Sequence, residues 1–400
     1  MEQARADRRL VALAVATVLA LSLGGCSVPP DHAAATERRD CITDFRPDTD
    51  YFPDKSTITE ATNFTLSYHR SYQVLTVNQP YPHGHPESYV LVRCGAPAPQ
   101  LTGELADAPR VSVPVDSLYS ASTTHLGMLA ELHQTDVITG VATTAAVVDP
   151  QVRHRIDDGH IVAYAPGQQV NVEAVIAGRP AVLITGGLDD PSYPKLRDAG
   201  IGVIADAEWL EATPLGRAEW IKVMAALTGT EQAATRIYDR VRADYRAVAA
   251  EAAAAPPVDV LLGSMYQGSW SMPAGGDYAG RLVLDAGGRY PWAAEPGTGS
   301  LQLNFESVYA RAGHAPLWLV TTDWASTAQV LAADPRYGEL AAVRDGHIWA
   351  AAKAIGAGGG NDYWERGPAR PDLVLADLTA ILHPDRHADH HFVFYRQVAA

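Results

Sequence analysis

The stretch Glu219–Ala254, EWIKVMAALTGTEQAATRIYDRVRADYRAVAAEAAA, decides how the rest of this 400-residue chain is organised. It contains no proline and a single glycine, Gly229, and its apolar residues recur at helical spacing. The sequence Thr228-Gly-Thr230 predicts a break with a new helix cap at Thr230, and Pro256-Pro257 ends the second helix. A helix of roughly 25 residues would be about 40 Å long. We therefore predict a rigid spine that joins the two halves of the chain.

Short apolar strands alternate with helices on both sides of this spine. The strand candidates are Arg110–Val115, Val137–Val141, Ala181–Thr185 and Gly202–Ile204 before it, and Val258–Leu262, Leu317–Thr321 and His347–Ala350 after it. Such alternation with almost continuously apolar strands is typical of parallel sheets that helices cover on both faces. Every tryptophan lies at or beyond Trp209, which also separates two distinct halves. The predicted fold class is α/β, with two Rossmann-like lobes joined by a long rigid α-helix and a ligand cleft between the lobes.

An additional β-rich segment precedes the first lobe. The segments Phe64–Tyr68, Gln73–Val77 and Tyr89–Arg93 alternate like strands, and the loop 80–86 makes the last two an extra N-terminal β-hairpin.

The beginning of the chain predicts its compartment. Arg5, Arg8 and Arg9 precede an apolar run that is short for a bilayer span and ends at Cys26. The residues before this cysteine resemble a bacterial lipoprotein box. The resemblance implies cleavage before Cys26, a lipid on its sulfur, and a mature chain held on the outer face of the cytoplasmic membrane. An ordinary secretory signal and a single-span anchor are the alternatives.

Two cysteines remain if Cys26 carries a lipid. Cys41 and Cys94 are an even pair in an oxidising compartment, so we expect one disulfide, with two buried free thiols as the alternative. The predicted division of the chain is a lipoprotein signal peptide (1–25), a tether (26–60), an N-terminal lobe with the added hairpin (61–210), connecting helices (211–256), a C-terminal lobe (257–385) and a His-rich tail (386–400).

Composition excludes some classes of function. The net charge of −15 argues against nucleic-acid binding, because phosphate backbones require clustered Lys and Arg. The chain has no Gly-x-Ser-x-Gly elbow and no His-Glu-x-x-His motif, so we do not expect an enzyme.

Several segments in register resemble class III substrate-binding proteins of bacterial ABC importers, the receptors for cobalamin, haem and ferric siderophores. The resemblance is carried by residues 110–141, 171–185, 214–221, 340–349 and 371–384. It departs from the family pattern at Ala181, which follows a proline where an aspartate is usual. It implies a lipid-anchored receptor, a monomer without cofactor, that captures an iron complex or cobalamin and delivers it to an ABC permease and ATPase complex.

The candidate ligand contacts come from the loops that follow the strands, because ligands of wound α/β sheets bind beyond the carboxyl ends of strands. In the second lobe these loops are rich in aromatic residues, whose flat rings suit a large planar or macrocyclic ligand. Packing beneath a loop is the alternative role for the aromatics, and helix capping is the alternative for the acids. The candidates are Tyr119, Ser122, Thr123 and His125 in the first lobe, and Tyr266, Trp270, Asp277, Tyr278, Trp324, Asn361, Asp362, Tyr363 and Trp364 in the second.

A repeated motif provides a second candidate surface. Asn171-Val-Glu173 and Asn304-Phe-Glu306 each begin a helix, one per lobe. The family resemblance implies that such glutamates dock on arginines of the permease, and the alternative is a carboxylate that stabilises a first helical turn.

A zinc or manganese receptor of an ABC importer is the alternative function. It requires three or four His, Asp or Glu ligands that converge from both lobes. His383, His387, His390 and His391 cluster near the end of the chain, but no fixed carboxylate or thiolate completes a site there in the sequence, and we predict no metal site.

Overall fold

The computed structural model describes residues 41–400. The predicted signal peptide, the lipidated Cys26 and the first part of the predicted tether lie outside the described residues. Cys41 is joined to Cys94 by a disulfide. Within the described part of the chain, no helix is both long enough and apolar enough to cross a bilayer.

Residues 41–60, the end of the predicted tether, where order was expected to begin near Cys41, are fixed to the body of the protein. The buried carboxylate of Glu219 accepts hydrogen bonds from the backbone N–H groups of residues 59–61. Glu211, also buried, accepts from the backbone N–H groups of residues 62 and 63. The two receiving carboxylates lie about 150 residues further along the chain, so a local sequence pattern does not reveal these contacts.

The first sheet is the added N-terminal segment. Its four strands are paired in chain order, and they are β1 (Phe64–Tyr68), β2 (Tyr72–Val77), β3 (Glu87–Arg93) and β4 (Arg110–Val113). The strands β1, β2 and β3 are antiparallel, and β4 runs parallel to β3. The assignment of Arg110–Val115 to the first lobe is therefore wrong. Pro114 has no N–H to donate and ends β4, and the lobe begins a few residues later.

The first lobe is a five-stranded parallel sheet of order β7-β6-β5-β8-β9 with helices between its strands. In chain order its elements are β5 (Leu118–Ser120), α1 (Thr123–Glu131), β6 (Ile138–Val141), α2 (Pro150–Asp157), β7 (Val162–Ala163), α3 (Val172–Gly178), β8 (Val182–Thr185), α4 (Tyr193–Asp198) and β9 (Gly202–Ala205). Capping residues set where helices start: the Ser122 side chain accepts a hydrogen bond from the N–H of Thr124, and Asn171 accepts from Ala174.

Three helices connect the lobes, namely α5 (Pro214–Ala218), α6 (Ile221–Thr228) and α7 (Glu231–Ala253). The predicted break lies at Gly229, which ends α6 in the left-handed conformation with a φ of 72°. The 23-residue α7 is the predicted spine. Its residues Ala234 and Tyr238 are buried in the hydrophobic core of the first lobe, and Tyr245 is buried in that of the second. The helix is thus anchored in both lobes.

The second lobe has a five-stranded sheet of order β13-β10-β15-β16-β17 and a separate antiparallel sheet of order β11-β12-β14. Its elements are β10 (Val258–Leu262), β11 (Ser264–Tyr266), β12 (Ser269–Pro273), α8 (Tyr278–Asp285), β13 (Gly288–Arg289), β14 (Ser300–Leu303), α9 (Phe305–Ala312), β15 (Leu317–Val320), α10 (Thr327–Ala333), α11 (Ala341–Arg344), β16 (Ile348–Ala350), α12 (Asp362–Glu365), α13 (Pro371–Leu382) and β17 (Arg396–Gln397). The small sheet is absent from the predicted strands because its segments are short and mix serine and glutamine with apolar residues.

The C-terminal residues belong to the second lobe rather than to a tail. The buried carboxylate of Asp377 on α13 accepts hydrogen bonds from the backbone N–H groups of residues 393–395 and lies 2.7 Å from the His390 ring. Strand β17 then pairs with β16. The prediction of a His-rich tail over 386–400 is therefore corrected. Residues 41–400 form one compact unit. The predicted boundaries at 210, 256 and 385 therefore stay predictions from the sequence.

Candidate ligand-binding cleft

A cavity of about 430 Å³ opens at the carboxyl ends of β10 and β15 in the second lobe. Its volume is in the range of sites for small-molecule ligands. Asp277, Tyr278, Tyr363 and Trp364 lie on its wall, as the loop argument placed them. The N-terminus of α8 provides the first two, and α12 provides the other two. Aliphatic side chains from β10, α8 and β15 complete the wall.

Trp209 lies on the wall of the same cavity and comes from the first lobe. Its indole N–H donates to the carbonyl of Gly186 at 3.1 Å, which fixes the ring beside the loop that follows β8. Trp209 was not predicted as a ligand contact, because it was used only to mark the start of the tryptophan-rich half of the chain. It lies just beyond the end of β9, and the rule that loops after strands carry ligand contacts could have identified it.

Three predicted aromatic contacts lie away from the cavity. Trp270 is completely buried on β12 and stacks on Trp318, with ring centroids 5.7 Å apart. Trp324 packs edge-on against Trp318. Tyr266 is 72% exposed at the tip of the β11–β12 hairpin. Trp270 is a core residue and Trp324 is half-buried against the same core, which was the alternative role. The unpredicted hairpin carries Tyr266 outward.

Asn361 and Asp362 serve local structure. The Asn361 side chain caps α12 by accepting from the N–H of Tyr363, and it donates to the carbonyl of Ala351. Asp362 is paired with Arg366 at 2.7 Å. Neither lines the cavity, so their contribution is to hold Tyr363 and Trp364 in place.

The first lobe has its own hollow of about 270 Å³ at the carboxyl ends of β5 and β6. Ser122 and Thr123 line it, at the start of α1. Tyr119 and His125 do not, because Tyr119 lies within β5 and stacks on Tyr164 in the core. His125 is 1% exposed, since the helix begins at Thr123 and turns this side chain inward.

The buried His125 belongs to a polar cluster. Its Nδ1 lies 2.8 Å from the Ser120 hydroxyl, and its Nε2 lies 3.7 Å from the Asp206 carboxyl. Burial lowers the pKa of His125 to about 4, so the ring is neutral near pH 7. Burial and the neighbouring Glu208 raise the pKa of Asp206 well above its ordinary value. Both shifts favour the uncharged forms of His125 and Asp206, and neither side chain lines the two cavities described above.

Arg217 links this cluster to the second lobe. The guanidinium of Arg217 on α5 is buried and paired with Glu208 at 3.1 Å. Its other contact is the ring of Tyr278, whose centroid lies 4.2 Å from the guanidinium carbon. A charged pair from the first half of the chain therefore supports an aromatic wall residue of the second-lobe cavity.

A second contact between the lobes is made by Glu365, the last residue of α12. Its buried carboxylate accepts hydrogen bonds from the backbone N–H groups of Val148 and Asp149 at 2.8 and 2.6 Å. The backbones of α1 and α12 approach each other closely beside this carboxylate. A Cβ on Gly127 would lie only 2.1 Å from the carbonyl oxygen of Glu365. Burial raises the pKa of Glu365 to about 7. Only one residue separates this carboxylate from Tyr363, so the contact also positions the cavity wall.

The two candidate docking glutamates are exposed, one on each lobe. Glu173 lies in the first turn of α3, and Glu306 lies in the first turn of α9. Glu306 is 3.3 Å from the guanidinium of Arg336. Both positions also favour a carboxylate at a helix N-terminus, which is the alternative role.

Across residues 41–400, no three His, Cys, Asp or Glu side chains are placed to hold a metal ion together. The histidines near the C-terminus have separate partners. His390 faces Asp377, and His387 lies 3.7 Å from Glu251.

The sequence and the fold both have known counterparts. An uncharacterized lipoprotein of Methanocaldococcus jannaschii is 30% identical over 239 residues, which are 58% of this chain and 55% of the relative. The chain thus spans about half the length of that relative. A periplasmic binding protein from Veillonella parvula has a TM-score of 0.57 at 12% identity, over 80% of this chain and 98% of the other.

Two further solved structures have the same fold. A periplasmic heme binding protein from Pseudomonas aeruginosa has a TM-score of 0.52 at 21% identity, over 72% of this chain and 99% of the other. A periplasmic vitamin B12 binding protein of Vibrio cholerae has a TM-score of 0.50 at 14% identity, over 68% of this chain and 99% of the other. The sequence profile of the periplasmic binding protein family matches residues 119–354. The match covers more than half of the chain and both lobes, and the protein is a member of this family of binding proteins, which are not enzymes.

Proposed function

We propose that this protein is a lipid-anchored extracytoplasmic receptor that captures an iron complex or cobalamin and delivers it to an ABC importer. The observation that carries the proposal is the aromatic cavity at the carboxyl ends of β10 and β15, in a chain of the periplasmic binding protein family. Structural relatives are described as binding heme and vitamin B12, both large ring systems. Flat aromatic side chains contact such rings at low entropic cost.

The lipid anchor is supported by the N-terminal sequence and by a relative. The run that ends at Cys26 resembles a lipoprotein box, and the Methanocaldococcus jannaschii relative is described as a lipoprotein. A thioether-linked lipid at Cys26 would keep the protein on the outer face of the cytoplasmic membrane. Mass spectrometry of the protein from membranes should find a diacylglyceryl group on an N-terminal Cys26, and an intact N-terminus would contradict this proposal.

Ligand capture is tested by tryptophan fluorescence. The full chain in detergent is titrated with haem, cyanocobalamin, and ferric hydroxamate and ferric catecholate siderophores. Because Trp209 and Trp364 lie on the cavity wall, a true ligand should quench the emission strongly and saturably. Saturation at submicromolar concentration by one class supports the proposal. Failure of all of them to bind contradicts it, and a titration with zinc and manganese would then test the alternative receptor.

Delivery is tested at the two exposed glutamates. We propose that Glu173 and Glu306 fix the orientation of the receptor on arginines of the permease, because exposed charges on a rigid body set orientation and encounter rate. The double variant Glu173→Arg/Glu306→Arg should leave affinity for the identified ligand unchanged and abolish its uptake by cells. Undiminished uptake would contradict this docking role.

A further inference from the structure

The charged and polar side chains around the second-lobe cavity determine which ligand charge it favours. The polar side chains on the wall are hydroxyl groups, two indoles and one carboxylate, and they are Ser264, Ser271, Ser300, Thr321, the tyrosines, Trp209, Trp364 and Asp277. Both carboxylate oxygens of Asp277 accept backbone N–H groups at 2.9 Å, from Ala279 and from Gly299. These contacts hold the carboxylate at the edge of the cavity. An anion placed there would meet a like charge.

The basic residues of the second lobe are engaged elsewhere. Arg281, Arg289, Arg336, Arg366 and Arg370 are in ion pairs with aspartates. The other arginines and Lys353 donate to backbone carbonyls. None of these side chains, and no other lysine, arginine or histidine, is among the described residues that line the cavity.

Arg217 does not supply a counter-charge either. It contacts the ring of Tyr278 and lines a small adjoining pocket behind that ring, and its charge is paired with Glu208. The effect of this arrangement is to support the tyrosine ring. The ring faces of Tyr278 and Trp364 on the wall carry negative charge density, which attracts cations and repels anions.

We propose that this cavity selects ligands without net negative charge, so that neutral or cationic complexes bind and polyanionic complexes are rejected. The inference rests on the proposed function and narrows its ligand class. Burying an anion without a partner costs several kcal/mol, whereas a neutral complex with an apolar rim needs only the hydroxyl groups and ring faces that are present. Among the candidate ligands, ferric trihydroxamates and cyanocobalamin meet this condition. Ferric tricatecholates and haem, with its carboxylates, do not.

Calorimetric titration of the full chain tests the charge rule with two pairs of probes. One pair is a neutral ferric trihydroxamate and a trianionic ferric tricatecholate, and the other is cyanocobalamin and haem. We expect the neutral member of at least one pair to bind about a hundredfold or more tightly than its anionic partner. Equal or tighter binding of an anionic member overturns the charge rule and leaves the proposed function standing. No binding of any of the four overturns both.

A charge-insertion variant separates charge from shape. Ser300 is exposed at the cavity rim, so Ser300→Lys places a cation there without disturbing the core. The variant should bind the anionic members about tenfold more tightly than the wild type does, without a matching gain for the neutral members. Ser67→Lys on the exposed edge strand β1 is the matched control and should change neither. An unchanged affinity of the Ser300→Lys variant for the anions overturns the proposal.

Discussion

At the scale of single residues, Glu365 is the side chain whose charge state matters most between the lobes. Burial, Asp149 and Asp362 raise its pKa, and the backbone N–H groups of Val148 and Asp149 lower it, with a net value of about 7 against an ordinary 4.5. The folded protein therefore favours the protonated carboxyl. The stabilisation is fully present below about pH 4.5 and is lost as the pH rises through about 7. The shift corresponds to roughly 3 kcal/mol.

This linkage predicts a pH-dependent difference between the wild type and Glu365→Gln, which cannot ionise. We expect the free energy of unfolding of the wild type to fall relative to that of the variant between pH 5 and pH 8. Urea unfolding at several pH values measures the difference, in which the other titrating groups cancel. Parallel pH profiles for the two proteins would contradict the raised pKa of Glu365.

Glu219 is the residue that holds the N-terminal segment. Its buried carboxylate is paired with Lys222 and accepts the N–H groups of residues 59–61. In Glu219→Gln the buried ammonium of Lys222 loses its counter-charge, and we expect the free energy of unfolding to fall by about 3 kcal/mol. Glu173→Gln on an exposed helical turn is the matched control and should change it by less than about 0.5 kcal/mol. Similar values for both variants would show that Glu219 does not anchor the segment.

At the scale of elements, the turn at Gly229 sets the angle between α6 and α7. A Cβ there would find Arg93 Nη1 at 3.5 Å and Pro114 at 3.7 Å, which are ordinary contacts, so a substitution costs only backbone strain. We expect Gly229→Ala to lower the free energy of unfolding by about 1 kcal/mol. Gly229→Asn should lose less, because asparagine tolerates the left-handed conformation. Equal losses for the two variants would point to side-chain crowding instead.

The elements that the sequence predicts well are those with a strong period. The strands β6, β8, β9, β10, β15 and β16 lie on predicted apolar runs, and α7 follows the helical spacing over 23 residues. The strands β5 and β7 were not predicted, and short segments such as Ser264–Tyr266 give no comparable signal. Arg110–Val113 belongs to the first sheet because it pairs with β3, and the sequence of a strand does not show which strand it will pair with. His125 was predicted as a loop residue at the cleft, but it lies on α1 behind the cap at Ser122 and faces the core.

At the scale of the whole molecule, three contacts limit how far the lobes can move. The spine α7 is buried in both cores, Arg217 joins Glu208 to Tyr278, and Glu365 joins α12 to the first lobe. We therefore expect a cleft that is largely formed before the ligand arrives. Solution scattering should give almost the same radius of gyration with and without a saturating ligand. A large compaction on binding would contradict this expectation.

The candidate site could be predicted only in part. The rule that loops after strands carry ligand contacts led to Asp277, Tyr278, Tyr363 and Trp364, which do share one wall. It did not distinguish a wall residue from a core residue such as Trp270, because both lie near a strand end and differ only in tertiary packing. The partners of the arginines, on which the proposed charge selectivity depends, are set by contacts that local sequence does not encode.

The proposed function requires that the ligand bind against the second-lobe wall, and a calorimetric comparison of three proteins examines this requirement. The affinity for the compound identified in the titrations is measured for the wild type, Trp364→Ala and Tyr266→Ala. Trp364 is 38% exposed on the cavity wall, and Tyr266 is an exposed aromatic residue outside it. We predict that Trp364→Ala binds about tenfold or more weakly, while Tyr266→Ala binds within about twofold of the wild type. Full affinity in Trp364→Ala together with a loss in Tyr266→Ala would place the ligand elsewhere and contradict the account.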